Sequence, residues 1–419
     1  MDIRAPNPRL VPRLSTGERI RMRREARGMS RPVLAGLVGR SPDWLKKIEN
    51  GDRRINSLKM LVELARKLGT EDIADLTGDD FDAPTRAWER EVHPAVTGIR
   101  AAMQDVSFGS LLADENLPVR SGEDLADEVR RLWLRWHTSP MQRSDVGGAL
   151  PGLIRQAHTS IRRTDGVECR RCRAATADLY RLVQRFLAHI CEPELHALAV
   201  ERGRALSEEA DSLLSLAEAA WASSVGLCAS GHYDDAACLA DRGAAALLNA
   251  CADAPSPMAM GTLGALQLEA AAAHGLAGRE GDAWRYLDAA VVTAGRMPAG
   301  SWHLPSAFER TNVEILAVII AVSLHKNGEA VARARKIELP STPSVVRRSR
   351  LLLECAQAHA NRHEWSEAVT SLASAEKISH EAIVLIPWAR TLADELAEHA
   401  PPATRAAARG MAARLRSVS

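Results

Sequence analysis

Phenylalanine and tyrosine are scarce in this chain, four and three in 419 residues, and with nine tryptophans the aromatics reach only 4%. A β-sandwich core draws on aromatic and β-branched residues, so the shortage argues against that class. Apolar residues still make up 46%, much of it alanine and leucine, which suits closely packed helices. No run of about 18 apolar residues occurs, and Met1 to Arg13 holds prolines and arginines but no apolar stretch of the signal-peptide kind. Neither secretion nor membrane insertion is therefore expected, and the protein reads as cytoplasmic. Cysteine is sparse and odd in number: Cys169, Cys172, Cys191, Cys228, Cys238, Cys251 and Cys355 are scattered among helical patterns, as reduced, buried thiols would be. Catalytic signatures are missing as well, with no Gly-rich phosphate loop, His-Glu-x-x-His or nucleophile elbow. No enzyme, catalytic residue or cofactor is expected.

A chain of this length exceeds one ordinary domain. The formal net charge of +1 conceals a division: residues 1–70 hold 17 Lys/Arg against 7 Asp/Glu, while the remainder holds 37 against 46. A basic head on an acidic body is what a phosphate-binding module joined to a non-binding domain looks like.

Residues 14–77 break into five short helical patterns. Gly28 ends the first. Ser30 caps a second carrying Leu34, Leu37 and Val38, which Gly39 stops, and Ser41-Pro42 starts a third at once. Gly51 ends that helix; a fourth starts at Ser57 with Leu58, Leu61, Ala65 and Leu68 on one face, and Glu71 to Leu76 forms a fifth. The tight turn at Gly39-Arg40-Ser41 suits a helix-turn-helix, whose second helix is left free for a major groove. On helix three, Leu45 and Ile48 face inward, Asp43, Lys46, Lys47 and Asn50 outward, and Trp44 lies at the border.

Residues 17–77, above all Met29-Ser-Arg-Pro-Val-Leu-Ala-Gly-Leu-Val-Gly-Arg-Ser-Pro-Asp-Trp-Leu-Lys-Lys-Ile-Glu-Asn-Gly51, resemble the Cro/C1-type helix-turn-helix of phage repressors and xenobiotic-response-element regulators. The resemblance covers about 60 residues, with Leu34-Ala35, Leu45, Ile48, Glu49 and Gly51 at the family's positions. It implies that Arg24 pairs with Glu49 and that Ser41, Pro42, Asp43 and Lys47 face the bases. Arg31 stands where the family usually has a glutamine that touches phosphate and base, Arg23 stands at a usually apolar site, and Pro42 removes a donor. Lys47 is the expected reader of guanine O6/N7, and Asp43 either accepts from cytosine N4 or caps the helix. Arg53 and Arg54 suit phosphate contacts.

Gly78 to Pro84 reads as a linker. Residues 85–172 form an intermediate region in which Asp124 to His137 is amphipathic, whereas Phe108 to Val119 and Ser139 to Gly148 read as loops. Trp133-Leu-Arg-Trp136 and Leu150-Pro-Gly-Leu-Ile154 resemble a stretch of actinobacterial regulators. Residues 173–419 repeat themselves. Gly231-His-Tyr-Asp-Asp-Ala236, Gly281-Asp-Ala283, Gly328-Glu-Ala330 and Trp365-Ser-Glu-Ala368 each set an acidic residue and an alanine at a helix start, the alanines spaced 47, 47 and 38 residues. Tetratricopeptide repeats have a period near 34, so elaborated hairpins of that kind are expected. The fold class is thus all-α: a five-helix head and an α-solenoid of tetratricopeptide-like hairpins, capped by helices over 380–399 and 402–416.

Cys169-Arg-Arg-Cys172 has the gap of a zinc half-site but lacks a second ligand pair, so structural thiols are the reading and no metal is expected. Trp221, Trp284, Trp365 and Trp388 are expected to pack within helix pairs. Trp302 and His303, between two repeats, are candidates for a groove rim, and Arg310, Asn312 and Glu314, heading an apolar helix, for a ligand-lining face. The expected partners are double-stranded DNA, a second copy of the chain, and a peptide or small-molecule effector. The other reading is a helical-repeat interaction scaffold with weak or vestigial DNA binding.

Overall fold

The computed structural model describes residues 15–51, 55, 58–70, 74–77, 93–107, 116–190, 192–250 and 256–416. Among them the fold is all-helical, and the one extended pairing is an isolated bridge between His303 and Phe308. The chain divides into two compact units, one up to Arg90 and one from Glu91.

The first unit holds α1 (Thr16–Ala26), α2 (Arg31–Leu37), α3 (Pro42–Glu49), α4 (Leu58–Lys67) and α5 (Ala74–Thr77). Serines begin the first three: Ser15, Ser30 and Ser41 accept the backbone N–H of Glu18, Val33 and Trp44, each cap contributing about 1 kcal/mol. Ile20, Leu34, Leu45, Leu64 and Leu76 are fully buried in its core. Leu37, expected on the inner face of α2, is instead exposed, because Leu34, Ala35 and Val38 already fill the inward strip of so short a helix. The expected start of α4 at Ser57, the stretch Glu71 to Ile73 and the linker Gly78 to Pro84 lie outside the described residues.

The second unit opens with α6 (Ala95–Ser107), α7 (Gly122–Thr138), α8 (Gln142–Gly147) and α9 (Leu150–Arg163). Residues 108–115 of the stretch read as a loop are outside the described residues. The other expected loop, Ser139 to Gly148, contains α8. Six residues are too few to show a 3.6-residue period, and α8 is held by tertiary contacts: the buried Arg143 guanidinium donates to the carbonyls of Phe186, Ala188 and Glu381.

Six hairpins follow. They pair α10 (Gly166–Leu187) with α11 (Pro193–Glu209), α12 (Leu213–Ala229) with α13 (Tyr233–Ala250), and α14 (Pro257–Leu276) with α15 (Glu280–Gly295). Next come α16 (Arg310–Ser323) with α17 (Asn327–Ala334) and α18 (Val345–Asn361) with α19 (Trp365–Ile378). After a short α20 (His380–Val384), α21 (Pro387–His399) pairs with α22 (Pro402–Arg416). The expected division at residue 172 falls inside α10, whose Cys172, Leu179 and Phe186 share one core with Leu125, Trp133 and Ile154 of the preceding helices. The expected helix over 380–399 is broken at Ile386: Pro387 lacks the N–H that would continue it and holds the preceding residue extended.

The repeat alanines explain the hairpins. Ala236, Ala283, Ala330 and Ala368 are all completely buried near the start of each second helix, where a methyl group lets the two helices approach. The first helices α10, α12, α14, α16, α18 and α21 pack successively on one another as one row. The row does not stay open. Helix α7 packs along α10 and also touches α18, with His137 Nδ1 2.9 Å from the Ser344 hydroxyl that caps α18. Beside it, Ser379 donates to the Pro140 carbonyl at 2.6 Å. Together α7 and α8 form a strap from the first hairpin to the fifth.

Close approach also occurs at Gly264 on α14, where an added Cβ would meet the buried Phe308 ring at 2.0 Å. Gly264→Ala is expected to destabilise the repeat unit by about 1–3 kcal/mol. Gly281→Ala, which meets nothing within 4 Å, should stay within about 0.5 kcal/mol of the parent. Denaturant unfolding of both variants checks this; equal midpoints would show that Phe308 yields freely.

Candidate nucleic-acid interface

The turn between α2 and α3 is short because Gly39 takes a left-handed conformation (φ 63°), which turns the Arg40 N–H back onto the Ala35 carbonyl at 2.8 Å. Helix α3 then restarts at Ser41 and packs against α1 and α2 through Leu45, Ile48 and Glu49. Ser41, Pro42, Asp43, Lys46, Lys47 and Asn50 are all left exposed, and Trp44 is half-buried against the head core, as the periodicity predicts. Arg53 and Arg54 lie outside the described residues.

Within that face, Ser41 is committed to its cap, and Lys47 Nζ sits 3.0 Å from Asp43 Oδ2, one turn back. Both partners are more than half exposed, so the pair is a loose one, of the order of 0.3–0.5 kcal/mol. Arg40 holds its guanidinium 5.7 Å from the Trp44 ring centre. Sequence reasoning passed over Arg40, although its place in the turn beside α3 was the available signal.

Beneath the face lies a buried ionic knot. Glu49 is 2% exposed and takes both oxygens to Arg24, Nε at 2.6 Å and Nη2 at 3.1 Å. Arg24 also donates to the Met29 carbonyl at 2.8 Å, and its guanidinium is held above the usual arginine range chiefly by the Glu49 hydrogen bond. Arg31, expected to reach DNA, places Nε 2.7 Å from the same Glu49 carboxylate and keeps about a third of its side chain exposed. Gly17 completes the joint: an added Cβ there would stand 2.1 Å from the Ile48 carbonyl oxygen, so α1 crosses the end of α3 at backbone contact. No sequence signal had singled out Gly17.

The five candidate ligand residues of the repeat unit do not converge. His303 is buried, Nδ1 2.7 Å from the Ser306 hydroxyl and Nε2 3.5 Å from Glu218, within a network in which Arg181 donates to Glu218 and Trp133 to Asp178. Trp302 meets His137 edge-on at 5.3 Å. Arg310 is exposed, and Glu314 faces an outer groove of about 580 Å³ with Trp284 and Arg333. Asn312 is buried and lines a separate inner cavity of about 90 Å³. Cys169 and Cys172 are buried thiols directed at the Ile161 and Arg120 carbonyls, and burial pushes the Cys172 thiol up. Among the described residues no group of His, Cys, Asp and Glu gathers as metal ligands, and no helix is long and apolar enough to cross a membrane.

Residues 16–76 match the family described as helix-turn-helix domain. No curated protein matches the chain. Among solved structures the chain is similar to the crystal structure of Bacillus thuringiensis PlcR in complex with the peptide PapR7 and DNA, at 10% identity and a TM-score of 0.29, over 84% of this chain and 98% of that one.

Removing Glu49 would leave the buried Arg24 with only the exposed Glu25, at 3.2 Å, as a counter-charge among the described residues, so Glu49→Ala is expected to destabilise the head by about 3 kcal/mol. Arg31→Ala, which removes a partly exposed second partner, should cost about 1 kcal/mol. Hydrogen exchange on α1 and α3 reads both; similar protection in the two variants would mean that the knot does not hold these helices.

Proposed function

We propose that this chain is a sequence-specific DNA-binding transcription regulator that works as a homodimer, its helical repeats sensing a peptide, small molecule or protein partner. The observation that carries the reading is the exposed face of α3. It presents Asp43, Lys46, Lys47 and Asn50 on a helix braced from behind by the Glu49 knot, within residues that match a helix-turn-helix domain. A helix in the major groove reads bases through such a face, and the excess of Lys/Arg in residues 1–70 supplies phosphate attraction. Lys47 is the proposed donor to guanine O6/N7; Asp43 holds it in the free protein and accepts from cytosine N4 when bound. Arg31, about a third of its side chain still exposed, and the arginines at 53 and 54 contact phosphate. One such module buries too little surface for strong specificity, so two copies on half-sites about 34 Å apart are required.

The Asp43–Lys47 pair favours a second reading, in which Lys47 stays with Asp43 in the head and the repeats act as a scaffold with weak DNA binding. Gel shifts with genomic fragments separate the two: a fragment retained against excess random DNA supports the regulator, and uniform weak retention supports the scaffold.

On a retained fragment, Lys47→Ala is expected to cost about 1–3 kcal/mol and relax preference at one base step. Alanine at Arg53 or Arg54 should weaken all sequences alike and lower the salt slope by about one ion. Equal losses on specific and random DNA for Lys47→Ala would make that lysine a phosphate contact.

A further inference from the structure

The inner cavity of the repeat unit has a composition that packing alone does not account for. Five successive first helices contribute to it: Arg185 from α10, Trp221 from α12, Glu269 from α14, Asn312 from α16 and Arg347 from α18. Asn312 is 1% exposed, yet neither its Nδ2 nor its Oδ1 has a hydrogen-bond partner, an arrangement that burial penalises at both atoms. Arg185 donates to no described residue, and Arg347 spends one η nitrogen on the Ser306 carbonyl at 2.9 Å. Their neighbour Arg350 is neutralised by Glu354 at 2.7 Å, but among the described residues Arg185 and Arg347 share Glu269 as their nearby carboxylate. Burial and the crowding of Arg185 and Arg350 lower Arg347 to about 9. Two half-buried guanidinium groups face one carboxylate in a small space that is partly open to water.

We infer that this cavity binds a small organic carboxylate, gripped by Arg185 and Arg347 and oriented by the Asn312 amide. The inference deepens the sensing role proposed above by naming the ligand class. A planar carboxylate matches the guanidinium fork, and it supplies the one negative charge that the lining lacks. Asn312, with a donor and an acceptor both unmet, fits a hydroxyl or second carboxyl on the same molecule. At about 90 Å³ the space admits a compact acid of a few heavy atoms. Drug-sized ligands and peptides need roughly 300 Å³ or more.

The test uses the full chain without DNA, so its result is independent of the gel shifts. Acetate, glycolate, malonate and succinate are titrated by calorimetry and thermal melting against their amides, inorganic phosphate, and sodium chloride at equal ionic strength. At least one carboxylate is expected to bind one per chain and to raise Tm by roughly 3–5 °C at a hundredfold excess over its Kd. The matching amide should not bind. Asn312→Asp, which sets a second negative charge against the ligand at nearly constant volume, should weaken binding at least tenfold. Arg185→Lys, which keeps the charge but loses the fork, should also weaken it. Arg333→Gln in the outer groove should leave it unchanged. The inference is overturned if no carboxylate of the four binds, if the amides or phosphate bind as well, or if Asn312→Asp and Arg185→Lys bind like the parent. It is equally overturned if Arg333→Gln weakens binding as much as they do.

Discussion

The repeat unit rests on one steric constraint: near the start of four second helices there is an alanine with no exposed surface. A larger side chain at such a position forces neighbours off their rotamers and costs about 1–3 kcal/mol. Because the same small residue recurs, the same close hairpin recurs, and the first helices of successive hairpins come to lie side by side. The aromatic shortage follows the same logic. The separate cores of the later hairpins are built from Ala, Leu, Val and Ile with single aromatics such as Trp221 and Phe308, since helices this close leave little space for rings.

Where helices from distant parts of the sequence meet, charge replaces apolar packing. Arg143 on α8 is buried, its guanidinium lowered to about 10 chiefly by that burial, and it reaches carbonyls on both α10 and α20. Arg181 and Glu218 join α10 to α12, and His303 brings the loop after α15 onto them. Buried ion pairs add little net stability, because desolvation offsets most of their attraction. Their effect is positional: where α8 lies, the Arg143 guanidinium meets three carbonyls at once, and that placement makes α7 and α8 a strap across the row. The expectation was an α-solenoid of tetratricopeptide-like hairpins whose repeats contact only their neighbours; α7 and α8 add contacts that reach from the first hairpin to the fifth.

The first three helices of the head were legible in their caps and stops, for a local reason. Serine caps, glycine stops and a 3.6-residue period act within a few positions of one another, so Ser30, Gly39, Ser41 and the Leu45/Ile48 stripe appear in the sequence as they stand in the fold. The Arg24–Glu49 pair followed from family resemblance, but the second arginine on Glu49 did not, because it departs from the family pattern. In the second unit the repeat alanines and hairpins were legible, whereas α8, the strap and the break at Ile386 were not. α8 and the strap depend on partners up to about 240 residues away, whereas the break at Ile386 had a local signal in Pro387 that the surrounding helical pattern obscured. Of the five ligand candidates, Asn312 alone reached the inner cavity. The residues it joins there, Arg185, Glu269 and Arg347, sit on three other helices, and only the stacking of the row brings them together.

The two charged regions differ in how solvent treats them. Lys46, Lys47 and Asn50 stand in bulk water, where salt screens attraction beyond about 8 Å at physiological ionic strength. Arg185 and Arg347 are half-buried beside a small cavity, where fewer screening ions reach them and an unpaired charge weighs more. A phosphate backbone that displaces counterions therefore loses affinity steeply as salt rises. A single carboxylate held between two half-buried arginines loses less, because it exchanges fewer mobile ions on binding than a run of phosphates does. Salt dependence thus distinguishes the two sites within one chain without any mutation, and it ties each site to its physical origin: a solvated helix face in the head, and a desolvated charge imbalance inside the repeats.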